Sequence, residues 1–281
     1  MKITTRDEKV LAAIKSFGVT YEELKNMIDL SSDKDMIYVS GSLIDGFGNP
    51  HSDLDIFVVT HNVECIPAQF EYEDYKIKII TKGNQRFDIE YHDVNQVKNI
   101  IRRINEYDSN NVSDVEYMSQ QKLDFLHRLL IGYPINNEMD FKKIKEKINV
   151  LNIQGAIIAR RTREFRSHLM DCVGMLMIED IDSAYEWSKR TFGKAIDVYL
   201  ASYGETNVTE KWRFRKLKRT INGDQSIYET YVNYLNPNKV IEIKDKKEHI
   251  ERILGYSNEL VSNANIRMMR RKKEDVSKEK I

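Results

Sequence analysis

The stretch GSLIDGFGNPHSDLDIFVV, from Gly41 to Val59, decides how the rest of the chain is read. It opens on a small Gly-Ser turn and closes on an apolar run that carries two aspartates, Asp53 and Asp55. The closing run, LDIFVVT (54–60), has the composition of a strand. Alternation along a strand sends Asp53 and Asp55 to one face and turns Leu54 and Ile56 toward a core. Two carboxylates that close repel each other, and a dry site makes the repulsion worse. They persist where water or a cation neutralises them, and hard oxygen ligands suit Mg2+, which keeps several waters and also takes substrate phosphates. The run MIYVS (36–40) just before the turn is a second short strand. Gly41 then lets a ligand approach the backbone, and Ser42 offers a hydroxyl to an anion held there.

Two more alternating runs follow, YKIKIIT (75–81) and RFDIEYH (86–92). The second places Phe87, Ile89 and Tyr91 on one face, leaving Asp88 and Glu90 on the other. Either acid completes a two-metal arrangement or serves as a general base.

Working outward, residues 5–17 carry helical periodicity, and Thr20 with Glu23 forms a capping box for a helix ending near Leu30. After Asp93 the helical pattern returns at Val97, Ile100, Ile101 and Ile104, and no further strand is expected. The run 120–131 is a helix stopped by Gly132, with Pro134 beyond it. Residues 155–178 carry a helical stripe, and Ser183 with Glu186 forms a second capping box for a helix closing at Gly204. Gly193 inside that helix suggests close helix–helix contact, and Tyr185 and Trp187 are expected in the core. The charged end, RMMRRKKEDVSKEKI, is expected to fray. The pattern is that of an α+β chain: a small mixed sheet flanked by helices over residues 1–135, then an all-α domain over 136–281.

Composition sets bounds on function. The 281 residues suit two domains, and Lys+Arg and Asp+Glu balance at 44 each, which argues against a protein built to coat nucleic acid. Local basic stretches exist at ARRTREFR (159–166) and KWRFRKLKR (211–219). They are either solvated helix faces or a positive wall for phosphates, with Lys211, Arg213 and Arg215 as candidates. Cys65 and Cys172 make no metal spacing, and His51, His92, His127 and His168 show no zinc pattern. The first residues hold no apolar signal core, and no apolar run approaches the ~18 residues of a membrane span. A cytoplasmic protein without membrane partners is expected; oligomeric state is open.

The Gly-Ser pair, a ten-residue spacer, Asp-Leu-Asp and a later acidic strand resemble the polymerase-beta-type nucleotidyltransferase superfamily. The fuller string, with Asp45-Gly46 and Pro50-His51-Ser52, is similar to the aminoglycoside adenylyltransferases that modify streptomycin and spectinomycin, strongly over residues 37–91. The resemblance implies ATP as substrate, with its phosphates on Gly41 and Ser42. It implies two Mg2+ ions on Asp53, Asp55 and Asp88, and AMP transfer to an acceptor hydroxyl deprotonated by Asp88 or Glu90. Arg86 and Phe87 before the acid favour Asp88. The acceptor implied is a small aminoglycoside-like molecule, with antibiotic resistance as its consequence. Alternatives are a macromolecule (a tRNA 3′ end or a protein side chain) and a non-catalytic nucleotide-binding role. Asp45 is expected at the start of a helix, where the dipole favours it.

Overall fold

A computed structural model of the protein describes residues 6–28, 34–220, 225–236 and 243–278. The chain begins with α1 (Arg6–Ser16), α2 (Tyr21–Met27), β1 (Met36–Ser40) and the single-turn α3 (Gly41–Ile44). It continues through β2 (Leu54–Thr60), β3 (Phe70–Glu71), β4 (Tyr75–Lys82), β5 (Gln85–Asp93) and α4 (Val94–Asn105). Then come α5 (Val112–Tyr117), α6 (Gln120–Ile131), β6 (Tyr133–Asn136), α7 (Glu138–Glu146) and α8 (Val150–Met177). The chain ends with α9 (Ile181–Ser202), α10 (Arg213–Thr220), α11 (Ser226–Leu235) and α12 (Ile243–Lys278). The capping box that opens α2 is in place: the Glu23 amide donates to Thr20 Oγ1 at 3.2 Å, and the Thr20 amide donates to Glu23 Oε2 at 2.8 Å. The end of that helix near Leu30 lies outside the described residues.

The strands form a six-stranded sheet in the order β3-β4-β5-β2-β1-β6. β2 and β5 run parallel, and the other neighbours run antiparallel. Alternation divides the sheet into two faces. One face carries Ile37, Val39, Leu54, Ile56, Val58, Phe87, Ile89 and Tyr91, which pack with Val10 and Ile14 of α1, Leu24 of α2 and Phe17 between the two helices. The other face carries Tyr38, stacked on Phe57 at 5.0 Å and packed on Phe141 of α7 at 5.0 Å. Toward one end of its strands this second face turns polar, with Ser40, Asp55, Asp88 and Glu90. The α+β class and the helical later half are as the sequence pattern implies.

β6 departs from the expectation that strands end with residue 92. Its four residues pair with β1 alone, at the sheet's edge, with a shift of register between Ile37 and Tyr38. An edge strand tolerates Pro134, which has no amide hydrogen for a second neighbour. A proline beside Gly132 reads as punctuation in sequence, which hides the strand.

Contacts divide the chain into two compact units. The first takes the chain through Glu106 and again Phe125–Asn149; the second takes Tyr107–Asp124 and the chain from Val150 onward. This differs from a single division after residue 135, because β6 pairs with β1 and Phe141 packs on Tyr38, both within the first unit.

In the second unit, α9 is capped by Asp180, whose carboxylate accepts from the Ser183 amide at 3.2 Å. Asp180 takes the capping role expected of Ser183, because a carboxylate three residues upstream of that amide reaches it. Gly193 makes room for a side chain, since a Cβ there would lie 2.7 Å from Arg213 Nη1. Tyr185 and Trp187 pack against a small core around Cys172, Ala184, Ile250 and Leu254. The charged end does not fray where it is described. α12 runs through Lys278, and Arg267 and Arg271 donate to Ser202 Oγ at 3.0 Å and to its carbonyl at 3.1 Å. Among the described residues, no helix is long and apolar enough to cross a membrane.

The core face makes a direct prediction. Ile56 is fully buried at the centre of the sheet, so Ile56→Ala is expected to cost about 2–5 kcal/mol. Urea unfolding measures this, and a loss below about 1 kcal/mol would contradict the packing described.

Candidate nucleotide and metal site

Strand register builds the site. Ser40 of β1 lies opposite Asp55 of β2, and Asp55 lies opposite Asp88 of the parallel strand β5. Glu90 lies one step further along the same face, opposite Phe57. Asp53 sits just before β2, half-buried. Gly41, at φ +80°, occupies backbone space that L side chains avoid. A Cβ on it would fall 1.7 Å from Asp55 Oδ2, so only glycine lets the turn and the acid meet. Behind the turn, the Phe47 amide donates to the Ser42 carbonyl at 2.8 Å, and Ser42 Oγ lies 3.4 Å from Ser52 Oγ. The Asn49 amide donates to Ser52 Oγ at 2.9 Å, and the His51 amide to Asn49 Oδ1 at 2.8 Å, which makes the loop from 45 to 52 compact.

The acids are held by arginines. Arg128 Nη1 of α6 donates to Asp55 Oδ1 at 2.8 Å and lies 3.9 Å from Glu90 Oε1. Arg86 grips Asp88 with two parallel bonds, at 2.6 and 2.7 Å. Burial pushes the Asp55 carboxyl up to about 7, against the pull of Arg128 and with the help of Asp53 and Glu90. Glu90 also lies 3.4 Å from His92 Nε2. His92 is buried among Tyr75, Phe57 and Phe125.

The donor set fits a hard divalent cation. Its chemistry is that of carboxylate oxygens on Asp53, Asp55 and Asp88, with Asp55 engaged by Arg128 and Asp88 by Arg86. As arranged here, no group of three or more His, Cys, Asp or Glu among the described residues is set to hold a metal.

Asp45 is not at the start of a helix. It caps the C-terminal end of α3, and its carboxylate lies buried 3.3 Å from His127 Nε2. A side-chain contact within the protein therefore accounts for it, in place of a helix dipole.

The three basic candidates lie in the second unit and behave differently from one another. Arg213 is forked onto Asp197 at 2.9 and 2.7 Å, which neutralises its charge inside the unit. Burial pushes the Asp197 carboxyl up, but Arg213 and its neighbours hold it below the ordinary range. Lys211 and Arg215 are exposed and lie over the ring of Trp212 at 4.9 and 5.2 Å. Arg161, from the other basic stretch, is also internal, donating to the Val208 carbonyl at 2.8 Å.

Arg128 and His127 carry no sequence signal: they sit in an ordinary amphipathic helix, and Arg128 is 73 residues from its partner Asp55.

Comparison with known families finds a match over part of the chain. The model of the central palm domain of poly(A) RNA polymerase, mitochondrial-like, matches residues 11–125. Among solved structures the chain is similar to a nucleotidyltransferase-like protein from Exiguobacterium sibiricum 255-15. The identity is 11%, the coverage 92% of this chain and 76% of that one, and the TM-score 0.49. No curated protein matches.

The raised Asp55 carboxyl sets a pH dependence. Between the ordinary carboxylate range and about pH 7, native Asp55 keeps a proton that the unfolded chain has released. Stability from this group therefore falls as pH rises through that window. Asp55→Asn removes the effect, so the variant's urea midpoint is expected to decline less than that of the natural protein between pH 4.5 and 7.5. Equal declines would contradict the burial of a carboxyl described here.

Proposed function

We propose that the first unit is a nucleotidyltransferase that moves AMP from ATP to an acceptor hydroxyl. The observation that carries this reading is the pairing of Asp55 with Asp88 across parallel strands, beside a turn whose Gly41 presses on Asp55. Asp53, Asp55 and Asp88 would hold Mg2+, which when bound neutralises triphosphate charge and polarises the reacting phosphoryl group. Gly41 and Ser42 receive the phosphates, with Ser42 supplying a hydroxyl and Gly41 a backbone without a side chain in the way. Asp88 takes the proton of the acceptor hydroxyl. The acceptor oxygen bonds to the α-phosphorus in line, and the bond to the β-phosphate breaks to release pyrophosphate. Catalysis comes from positioning and charge neutralisation.

Register favours Asp88 over Glu90 as the third acid, because Asp88 stands opposite Asp55 while Glu90 faces Arg128 and His92. For the acceptor, the palm-domain match to a poly(A) RNA polymerase favours an RNA hydroxyl. Lys211 and Arg215, flanking Trp212, have the chemistry to bind a nucleic-acid backbone and stack a base. The motif string at 41–58 supports a second reading, a small aminoglycoside-like acceptor.

The test is incubation with each labelled nucleoside triphosphate and Mg2+, offering bulk tRNA, poly(A) RNA, streptomycin and spectinomycin as acceptors. Label from ATP is expected on RNA. The double variant Asp53→Ala, Asp55→Ala is expected to lose on the order of a hundredfold or more in rate. Label on an aminoglycoside alone would overturn the acceptor, and undiminished transfer by the double variant would overturn the site.

A further inference from the structure

Arg128 is placed between two carboxylates. Its Nη1 lies 2.8 Å from Asp55 Oδ1 and 3.9 Å from Glu90 Oε1, and its guanidinium lies 5.5 Å over the Phe57 ring. Register explains the seat: Phe57 follows Asp55 on the same face of β2 and stands opposite Glu90 on β5, so its ring makes a floor from one acid to the other. The base of the arm is fixed, since the Arg128 carbonyl accepts from Ser40 Oγ at 2.6 Å. Arg86, the other arginine of the site, is about half exposed at 53% and can swing into water, whereas Arg128 is only 24% exposed.

Asp55 has little coordination to spare. Its Oδ2 is pressed against Gly41, and its Oδ1 receives Arg128. A divalent cation arriving at Oδ1 meets the guanidinium charge there, and two cations on one oxygen repel. Moving Arg128 off Asp55 costs less where another carboxylate lies close enough to take its charge. Glu90 is already within reach.

We propose that Arg128 is a positioning residue that holds Asp55 in place and yields its oxygen to the divalent cation by moving across Phe57 onto Glu90. This rests on the reading of Asp55 as a metal ligand. It gives Glu90 a task distinct from proton transfer: it is the second seat of the arginine.

The test is Mn2+ binding to the full chain without nucleotide, followed by the electron paramagnetic resonance signal of free Mn2+ at constant pH. Arg128→Met removes the competing charge and is expected to tighten binding on the order of tenfold. Glu90→Gln removes the second seat and is expected to weaken it several-fold. Arg128→Gln, expected to act in the same direction as Arg128→Met, replaces it if that variant does not fold. Unchanged or weaker binding by the Arg128 variants, or unchanged binding by Glu90→Gln, would overturn the proposal. Binding by Asp55→Asn as tight as that of the natural protein would instead overturn the metal site itself, and the two failures are therefore distinguishable.

Discussion

The carboxylate of Asp55 rests directly on the α-carbon of Gly41, and the rest of the site is arranged around that contact. It requires a backbone angle that residues with side chains avoid, together with the absence of a Cβ. It also requires β1 and β2 to pair so that Ser40 faces Asp55, which puts the turn after Ser40 beside the acid. The apolar face of the sheet sets that register. A slip of β2 by one residue would turn Asp55 into the apolar face beside Ile37 and Ile89 and turn Ile56 out of it.

A cluster of acids on the two central strands of the sheet is a standing electrostatic cost, and the protein meets it with guanidinium groups. Arg128 and Arg86 each engage one aspartate, and His92 approaches Glu90. Even so, Asp55 remains hard to ionise, because burial outweighs its arginine. Such a site favours more positive charge, which is the physical basis for reading it as a place for a divalent cation and a triphosphate. The second unit treats its charges differently. Arg161 and Lys216 are buried, and they and the partly buried Arg213 are committed to internal partners, while Lys211 and Arg215 stay at the surface.

Much of this was legible in the sequence where a simple period operates. β4 and β5 alternate and β1 and β2 are short apolar, partly β-branched runs, so all four could be read from residue type, as could the grouping of Asp88 and Glu90 on one face of β5. The capping box at Thr20 was readable because both of its members lie within four residues. β6 was hidden by Pro134, and Asp180 was hidden behind the better-looking Ser183. The pairing of Arg213 could not be read, because composition does not distinguish a solvated arginine from one forked onto Asp197. Arg128 and the Asp45–His127 pair were invisible because they are contacts across more than seventy residues, created by where α6 packs.

The most direct measurement compares Gly41→Ala with Gly46→Ala. Both glycines sit at φ +80°, but a Cβ at Gly46 meets nothing within 4 Å, whereas one at Gly41 collides with Asp55. Both variants therefore carry a backbone penalty of about 1–2 kcal/mol, and only Gly41→Ala displaces the acid. Gly46→Ala is expected to keep Mn2+ binding while Gly41→Ala loses it. Equal binding by the two variants would contradict the central place given to the Gly41–Asp55 contact.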